Sequence, residues 1–308
     1  MRLTRTVATA AIALAALTLG ACGASNDPLG NTSAAPSGSA GGTGPVIVGS
    51  ANFTENQVLA ELYAQALKAK GVDASTKLNI GSREVYIKAL QDKSISVVPE
   101  YTGNLLIYFD KNSKATTADA VEKALPAAVG DLKLGKSSTA VDQDVYVVTK
   151  AFSDKNGVTS LEDLKKVSAS ATLGGPSELK TRPYGVPGLK SVYGADFKGF
   201  QAYDSPAVKV KDLNDDKIQV ANFFSTESAI VDNGYVTLKD PKSLILPQNI
   251  IPLMRPEVAS NSTVTTTLDA VQSALTTEEL TALNKKVDVD RQDPDQVAAE
   301  WLKSKNLG

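Results

Sequence analysis

Leu90-Gln91-Asp92-Lys93-Ser94-Ile95-Ser96-Val97-Val98-Pro99-Glu100-Tyr101-Thr102 can be laid over Leu213-Asn214-Asp215-Asp216-Lys217-Ile218-Gln219-Val220-Ala221-Asn222-Phe223-Phe224-Ser225 at a constant offset of 123 residues. Only four positions are identical, but the order of features is the same. A helix ends, an acidic turn follows, and a buried strand runs to an aromatic residue, Tyr101 or Phe224, followed by a hydroxyl. The repeat predicts two similar α/β lobes. Ligands in α/β sheets bind outside the carboxyl ends of the strands, so the two lobes would face each other across a cleft with one aromatic each.

The flanking sequence fits this reading. Val46-Ile47-Val48-Gly49 reads as a short buried strand. Thr54-Glu55-Asn56-Gln57 reads as a capping box, with Val58, Leu59, Leu62, Ala66 and Leu67 forming the apolar face of a helix that ends at Gly71. A strand over 76–80, a helix over 83–91 and a strand over 95–98 complete a βαβαβ alternation, which predicts a mostly parallel, helix-covered sheet. In the middle of the chain, strands are expected over 145–148, 169–173 and 218–221, with helices opening at Ser160-Leu161-Glu162-Asp163 and covering 186–193 and 207–213. The last part reads as helices over 265–274, 277–286 (after a Thr276-to-Glu279 capping box) and 295–305.

The amino-terminal stretch has a different character. Arg2 and Arg5 precede an apolar run from Val7 to Leu19, and Leu19-Gly20-Ala21-Cys22 closes it with the only cysteine of the chain. This is the layout of a secretory signal, and the cysteine after small residues resembles the lipobox of bacterial lipoproteins, with Gly20 where Ala or Ser is commoner. The resemblance implies a signal peptide over 1–21, cleavage before Cys22 and acylation of its thiol. Residues 22–45 are rich in Gly, Ser, Ala, Pro and Thr and read as a flexible tether.

Composition removes several function classes. The net charge of the 308-residue chain is −2, and loss of Arg2 and Arg5 takes the remaining 287 residues to −4. No Lys/Arg block points to nucleic acid. With no histidine, a Ser-His-Asp triad and histidine-containing zinc sites are impossible. An acylated Cys22 leaves no thiol nucleophile. No dinucleotide, Walker or Gly-x-Ser-x-Gly signature is present. The expectation is a monomer that is not an enzyme, with no metal and no cofactor.

The pattern Val-Gly-Ser-x-x-Phe-x-Glu-x-x-Val-Leu from Val48 to Leu59, followed by Gly81-Ser82, Ala89-Leu90 and Val98-Pro99-Glu100-Tyr101-Thr102-Gly103, resembles the glycine betaine/choline (quaternary ammonium) substrate-binding proteins of ABC transporters. Thr181-Arg182-Pro183-x-Gly185-x-Pro187-Gly188-Leu189, Val192-Tyr193-Gly194 and Phe224-Ser225-Thr226-Glu227 follow in the same order. The resemblance runs from Val46 to the C-terminus. It implies a bilobed periplasmic-binding-protein clamshell, two α/β lobes joined by a two-segment hinge, with crossings near 141–145 and 242–249. Lobe one is then 46–143 plus 246–308, and lobe two 144–245.

In that family tyrosines cage the ammonium, while an arginine and backbone groups hold the carboxylate. The match implies ligand contacts at Tyr101, Phe224, Asn104 and Arg182. Asp144 and Asn249 stand where two further cage aromatics are expected, and with Asn104 they describe a pocket more polar than a full tyrosine cage; Ala51 replaces a polar residue that the first loop can carry. Tyr184, Tyr86 and Tyr203 are possible substitute rings, and Glu100 and Glu227 possible hinge or lobe-contact residues. The function implied is an extracytoplasmic lipoprotein, held on the outer face of the bacterial cell membrane, that captures glycine betaine or a related compatible solute. It would deliver this solute to an ABC permease, and through the permease it would have the ATPase subunit as a partner. The alternatives are the same importer role for a more hydroxylated small molecule and, outside that class, a lipid-anchored enzyme or envelope scaffold.

Overall fold

The computed structural model describes residues 44–308. The signal segment 1–21, Cys22 and the tether up to residue 43 lie outside the described residues. Strands β1 (Val46–Gly49), β2 (Ala74–Lys77), β3 (Val97–Tyr101), β4 (Lys133–Leu134), β5 (Asp144–Val148), β6 (Thr172–Gly175), β7 (Gly199–Ala202), β8 (Val220–Phe224), β9 (Val236–Thr237) and β10 (Ile250–Met254) form two sheets. Their orders are β2-β1-β3-β10-β4 and β7-β6-β8-β5-β9. Position for position the two orders correspond, which makes two lobes of one plan.

The duplication holds at the level of single residues. The helix Arg83–Gln91 and strand β3 correspond to the helix Pro206–Asn214 and strand β8, every boundary offset by 123. The turn between helix and strand matches too. Lys93 and Asp216, also 123 apart, both take a left-handed conformation, φ 69° and 58°. Such a conformation costs a non-glycine residue ~1–2 kcal/mol, and here it reverses the chain in one residue after each helix.

Both sheets are mixed rather than mostly parallel. β1 pairs with β2 and β3 in parallel, and β6 with β7 and β8, but β10 runs antiparallel to β3, and β5 antiparallel to β8. The local βαβ alternation was legible; the partner inserted from a distant part of the chain was not. Strand β3 also begins later than the apolar run suggests and continues through Pro99 and Glu100. Pro99 lies opposite Pro252 in the register, and Glu100 is buried against Arg83.

The helix Thr54–Ala69 is buried around most of its circumference, from Val58 through Leu67. A helix apolar on all sides belongs inside a protein. This one shares a core with β1, β3 and residues of the C-terminal helices Ser262–Ala274, Thr277–Asp288 and Pro294–Ser304. Tyr63, fully buried, donates its hydroxyl to Gln272 at 3.1 Å. The expected capping box at Thr54 is absent. Phe53 is the N-cap residue, and the Thr54 hydroxyl donates to Asp288 at 2.7 Å. The box at Thr276 is half formed. Thr276 accepts from the Glu279 N–H, but the Glu279 carboxylate is taken by Lys305 and Trp301. Ser160 does make a full box with Asp163, on a short 3-10 helix.

The Arg-Pro-x-Gly-x-Pro-Gly stretch has a steric basis. A Cβ on Gly185 would lie 2.1 Å from the Leu179 carbonyl oxygen, and one on Gly188 1.9 Å from that of Pro183. The loop folds back on itself more tightly than any side chain allows, and this fold-back carries Arg182. Gly188→Ala, inside the helix Val186–Tyr193, should therefore destabilise the protein by ~1–3 kcal/mol or more despite alanine's higher helix propensity. A lowered urea midpoint would register the loss, and an unchanged or raised midpoint would contradict it.

Candidate functional site

A cavity of about 230 Å³ lies where β3 and β8 end. Tyr101 and Phe224, the last residues of those strands, both line it. The third ring is Phe53, which lies on the loop after β1. Its ring stacks on Phe224 with centroids 5.0 Å apart and planes at 28°, and lies 6.0 Å from Tyr101 at 36°. One aromatic from the first lobe thus bridges the pair that the duplication places in opposite lobes. Phe53 was missed as a site residue although it is the Phe of the first motif. Nothing in its local sequence distinguishes a hydrophobic N-cap neighbour from a cleft residue.

Of the other expected contacts, Asn104, Asp144 and Arg182 line the cavity. Asn104 is held by Gln248 through two hydrogen bonds: its N–H donates to Oε1 at 2.9 Å, and its Oδ1 accepts from Nε2 at 2.7 Å. Its own amide then donates to Asp144 Oδ2 at 2.8 Å. Asn222 donates to Asp144 Oδ1 at 3.1 Å. Asn249 is not among the lining residues. Its amide donates to the Ser138 carbonyl at 3.1 Å and its N–H to Thr102 Oγ1 at 3.0 Å, so it is spent on joining chain segments. Tyr86 and Tyr203 reach the cavity wall; Tyr184 stands behind it, accepting from Arg182 at 2.9 Å. Burial pushes the Tyr184 hydroxyl up to about 12.

The cations near the cavity are already paired. Arg83 donates bidentately to Glu100 at 2.8 and 2.9 Å, both side chains being buried. Burial alone would lower the pKa of Arg83, but Glu100 outweighs it and holds the guanidinium charged. Arg182 reaches across to Glu84 at 3.4 Å. Lys209 meets Glu227 at 3.5 Å and donates to the Asn222 carbonyl at 2.9 Å. Glu55, Asp142 and Asp144 are buried in the same wall, and their hydrogen-bond donors are neutral hydroxyls, amides and backbone groups. Aromatic faces beside uncompensated carboxylates suit a cation. Arg182, together with the amino-terminal ends of the helices that start at Arg83 and Pro206, suits an anion. Among the described residues no group of His, Cys, Asp and Glu is arranged to hold a metal ion.

Two α/β lobes with one cavity lined from both define a bilobed small-molecule receptor of the periplasmic-binding-protein class. Residues 44–304 match the family described as the substrate binding domain of ABC-type glycine betaine transport system, and the chain belongs to that family. It is a substrate-binding protein of a glycine betaine-type ABC transporter, not an enzyme.

Similar proteins agree. The glycine-betaine-binding protein of Pseudomonas aeruginosa is 26% identical over 276 residues, covering 84% of this chain and 88% of that one. The glycine betaine-binding protein YehZ of Escherichia coli is 26% identical over 276 residues, covering 85% and 90%. The structure of apo YehZ superposes with a TM-score of 0.61 over 86% of this chain and 99% of that one. A glycine betaine/carnitine/choline ABC transporter structure, 22% identical, gives 0.68 over 85% and 99% and supports the fold.

The Arg83–Glu100 pair is buried in the wall, so breaking one side should cost more than the pair contributes. Arg83→Met is expected to destabilise by ~3–5 kcal/mol by leaving Glu100 buried and unpaired. Adding Glu100→Gln should recover much of the loss. Urea titrations of the single and double variants measure both, and a double variant no more stable than the single would contradict this account.

Proposed function

We propose that this chain is an extracytoplasmic, lipid-anchored receptor that captures glycine betaine or a related compatible solute in the cavity and delivers it to an ABC permease. The observation that carries the ligand assignment is the Tyr101–Phe53–Phe224 cluster beside buried carboxylates, with Arg182 in the same cavity. A methylated ammonium has no proton to donate, so ring faces and nearby negative charge are its best partners, and a guanidinium fork takes the carboxylate. The two named glycine betaine-binding relatives point to the same ligand class.

The lobes are 46–143 plus 246–308 and 144–245, and the hinge is formed by the two connections between them. Val141 and Asn249 form an antiparallel bridge there, which supports a paired, two-segment hinge. Ligand bound between the lobes favours the closed form by its contacts with both. Acylation at Cys22 and the tether over 22–45 would keep the receptor near its permease.

A second reading is favoured by Asn104 and Asp144 in the wall, whose hydrogen-bonding capacity a trimethylammonium cannot use. It assigns the same transport role to a hydroxylated solute. A thermal-shift panel of glycine betaine, choline, carnitine, proline betaine and polyols separates the two, since a ligand raises the midpoint by mass action. Response to quaternary ammonium compounds supports the first reading; response to polyols alone replaces it with the second.

Phe224→Leu keeps bulk but removes the ring face. It should weaken glycine betaine binding roughly two- to thirty-fold, the range of ~0.5–2 kcal/mol for one cation–π contact. Calorimetric titration measures the change, and undiminished affinity would remove Phe224 from the site. Cys22→Ser should release the protein from the membrane fraction and leave the affinity of the purified chain intact. Retention at the membrane would contradict the anchor.

A further inference from the structure

Two of the buried carboxylic acids in the cavity wall, Glu55 and Asp142, share a hydrogen-bonding partner. Glu55, in the first turn of the helix Thr54–Ala69, accepts three hydrogen bonds. Tyr101 donates its hydroxyl to Oε1 at 2.8 Å, and Thr226 and Asn284 donate to Oε2 at 2.6 and 2.7 Å. Asp142 lies on the connection between β4 and β5. Its Oδ1 accepts from the Thr226 N–H at 3.1 Å and the Ser225 hydroxyl at 3.2 Å, while its Oδ2 is buried without a partner. Both acids are buried, and both accept from Thr226, Asp142 from its N–H and Glu55 from its hydroxyl, which makes them neighbours.

Every donor to Glu55 is neutral, and the surrounding charges are acidic or engaged. Asp288 accepts from Thr54, Asp144 is held by Asn104 and Asn222, and Lys209 is tied to Glu227 and the Asn222 carbonyl. Two adjacent buried carboxylates cannot both ionise. Glu55 has the environment of the anion, filled with donors. Asp142 has one oxygen lacking a donor, which is where a carboxylic O–H would sit, with Glu55 as its acceptor.

We propose that Glu55 and Asp142 are a positioning pair sharing one proton, which sets Tyr101 at the cavity and joins Thr226 of the second lobe to the first, so that ligand capture takes up a proton. The coupling rests on the lobe closure described under Proposed function. Glu55, Tyr101 and Asn284 belong to the first lobe, and Ser225 and Thr226 to the second. Opening separates Thr226 from Glu55 and exposes both acids to water, where they ionise at neutral pH. Closure buries them again.

Burial raises Glu55, and burial followed by the proximity of Glu55 raises Asp142 further. The closed form therefore holds more protons than the open one. Affinity is fully present below the ordinary carboxylate range, near pH 4, and falls as pH climbs toward the raised value of Asp142.

The test is calorimetric titration of the whole chain with glycine betaine at pH 7 in two buffers of different ionisation enthalpy, repeated across pH. Proton uptake of at most one per ligand is expected, with the dissociation constant rising by up to about tenfold per pH unit. Asp142→Asn should abolish the uptake and flatten the profile. Binding without uptake, or uptake that persists in Asp142→Asn, overturns the pair. If glycine betaine gives no heat, the ligand reading fails, and the pair is judged by the same two-buffer titration with the compound that raises the midpoint most in the thermal-shift panel. Proton uptake that is lost in Asp142→Asn supports the pair; binding without uptake overturns it.

Discussion

Each lobe depends on one antiparallel pairing that its own local sequence does not contain. β10 lies against β3 with Ile250 opposite Tyr101, and β5 lies against β8 with Asp144 opposite Phe224. In both cases the strand that arrives from the inter-lobe connection is in register with the aromatic that ends the central strand. The carboxyl ends of the central strands, the connections and the cavity are thereby fixed at one place. A shift by one residue would turn every side chain of the strand to the other face of the sheet and would move Tyr101 or Phe224 out of the cavity.

The same constraint explains what could be read in advance. The helix–turn–strand unit is local, so its boundaries and its reversal at Lys93 and Asp216 are carried by adjacent residues and survive in the spacing of 123 even with four identities. Antiparallel pairing with a distant strand has no local signal, and the sheets accordingly proved mixed. Thr54 shows how tertiary structure overrides a local motif. Its spacing to Gln57 fits a capping box, but Asp288, more than two hundred residues away, takes the hydroxyl. Among the site residues, Tyr101, Phe224, Asn104, Asp144 and Arg182 were marked by strand ends or motifs and do line the cavity, whereas Asn249 is used for joining segments. The cluster around Glu55 draws on residues 55, 101, 142, 226 and 284. Such a grouping exists only in three dimensions.

Equivalent positions in the two lobes make the same contact with different chemistry. In the first lobe Tyr86, on the helix, donates to Glu100, on the strand, at 2.9 Å. At the matching positions in the second lobe the Lys209 ammonium sits 3.8 Å from the centre of the Phe223 ring. Aromatic and charge have exchanged sides, while the helix-to-strand contact is kept. The two lobes thus share packing geometry and differ in the groups they place around it.

That asymmetry extends to the pair of strand-end aromatics and has a physical consequence for recognition. Tyr101 has a hydroxyl, and Glu55 fixes it from behind; Phe224 has none, and its ring packs on Phe53 while the Glu227 carboxylate accepts its N–H at 2.9 Å. The first ring is held by a hydrogen bond from its own lobe, the second by a stack on a ring of the other. With the lobe closure proposed above, a ligand meeting the first lobe would find Tyr101 already in place, while the Phe224 face would become available against Phe53 on closing. Two lobes of one plan can in this way divide initial contact from enclosure, because the duplicated backbone sets where the rings stand and the residues around them set when each is fixed.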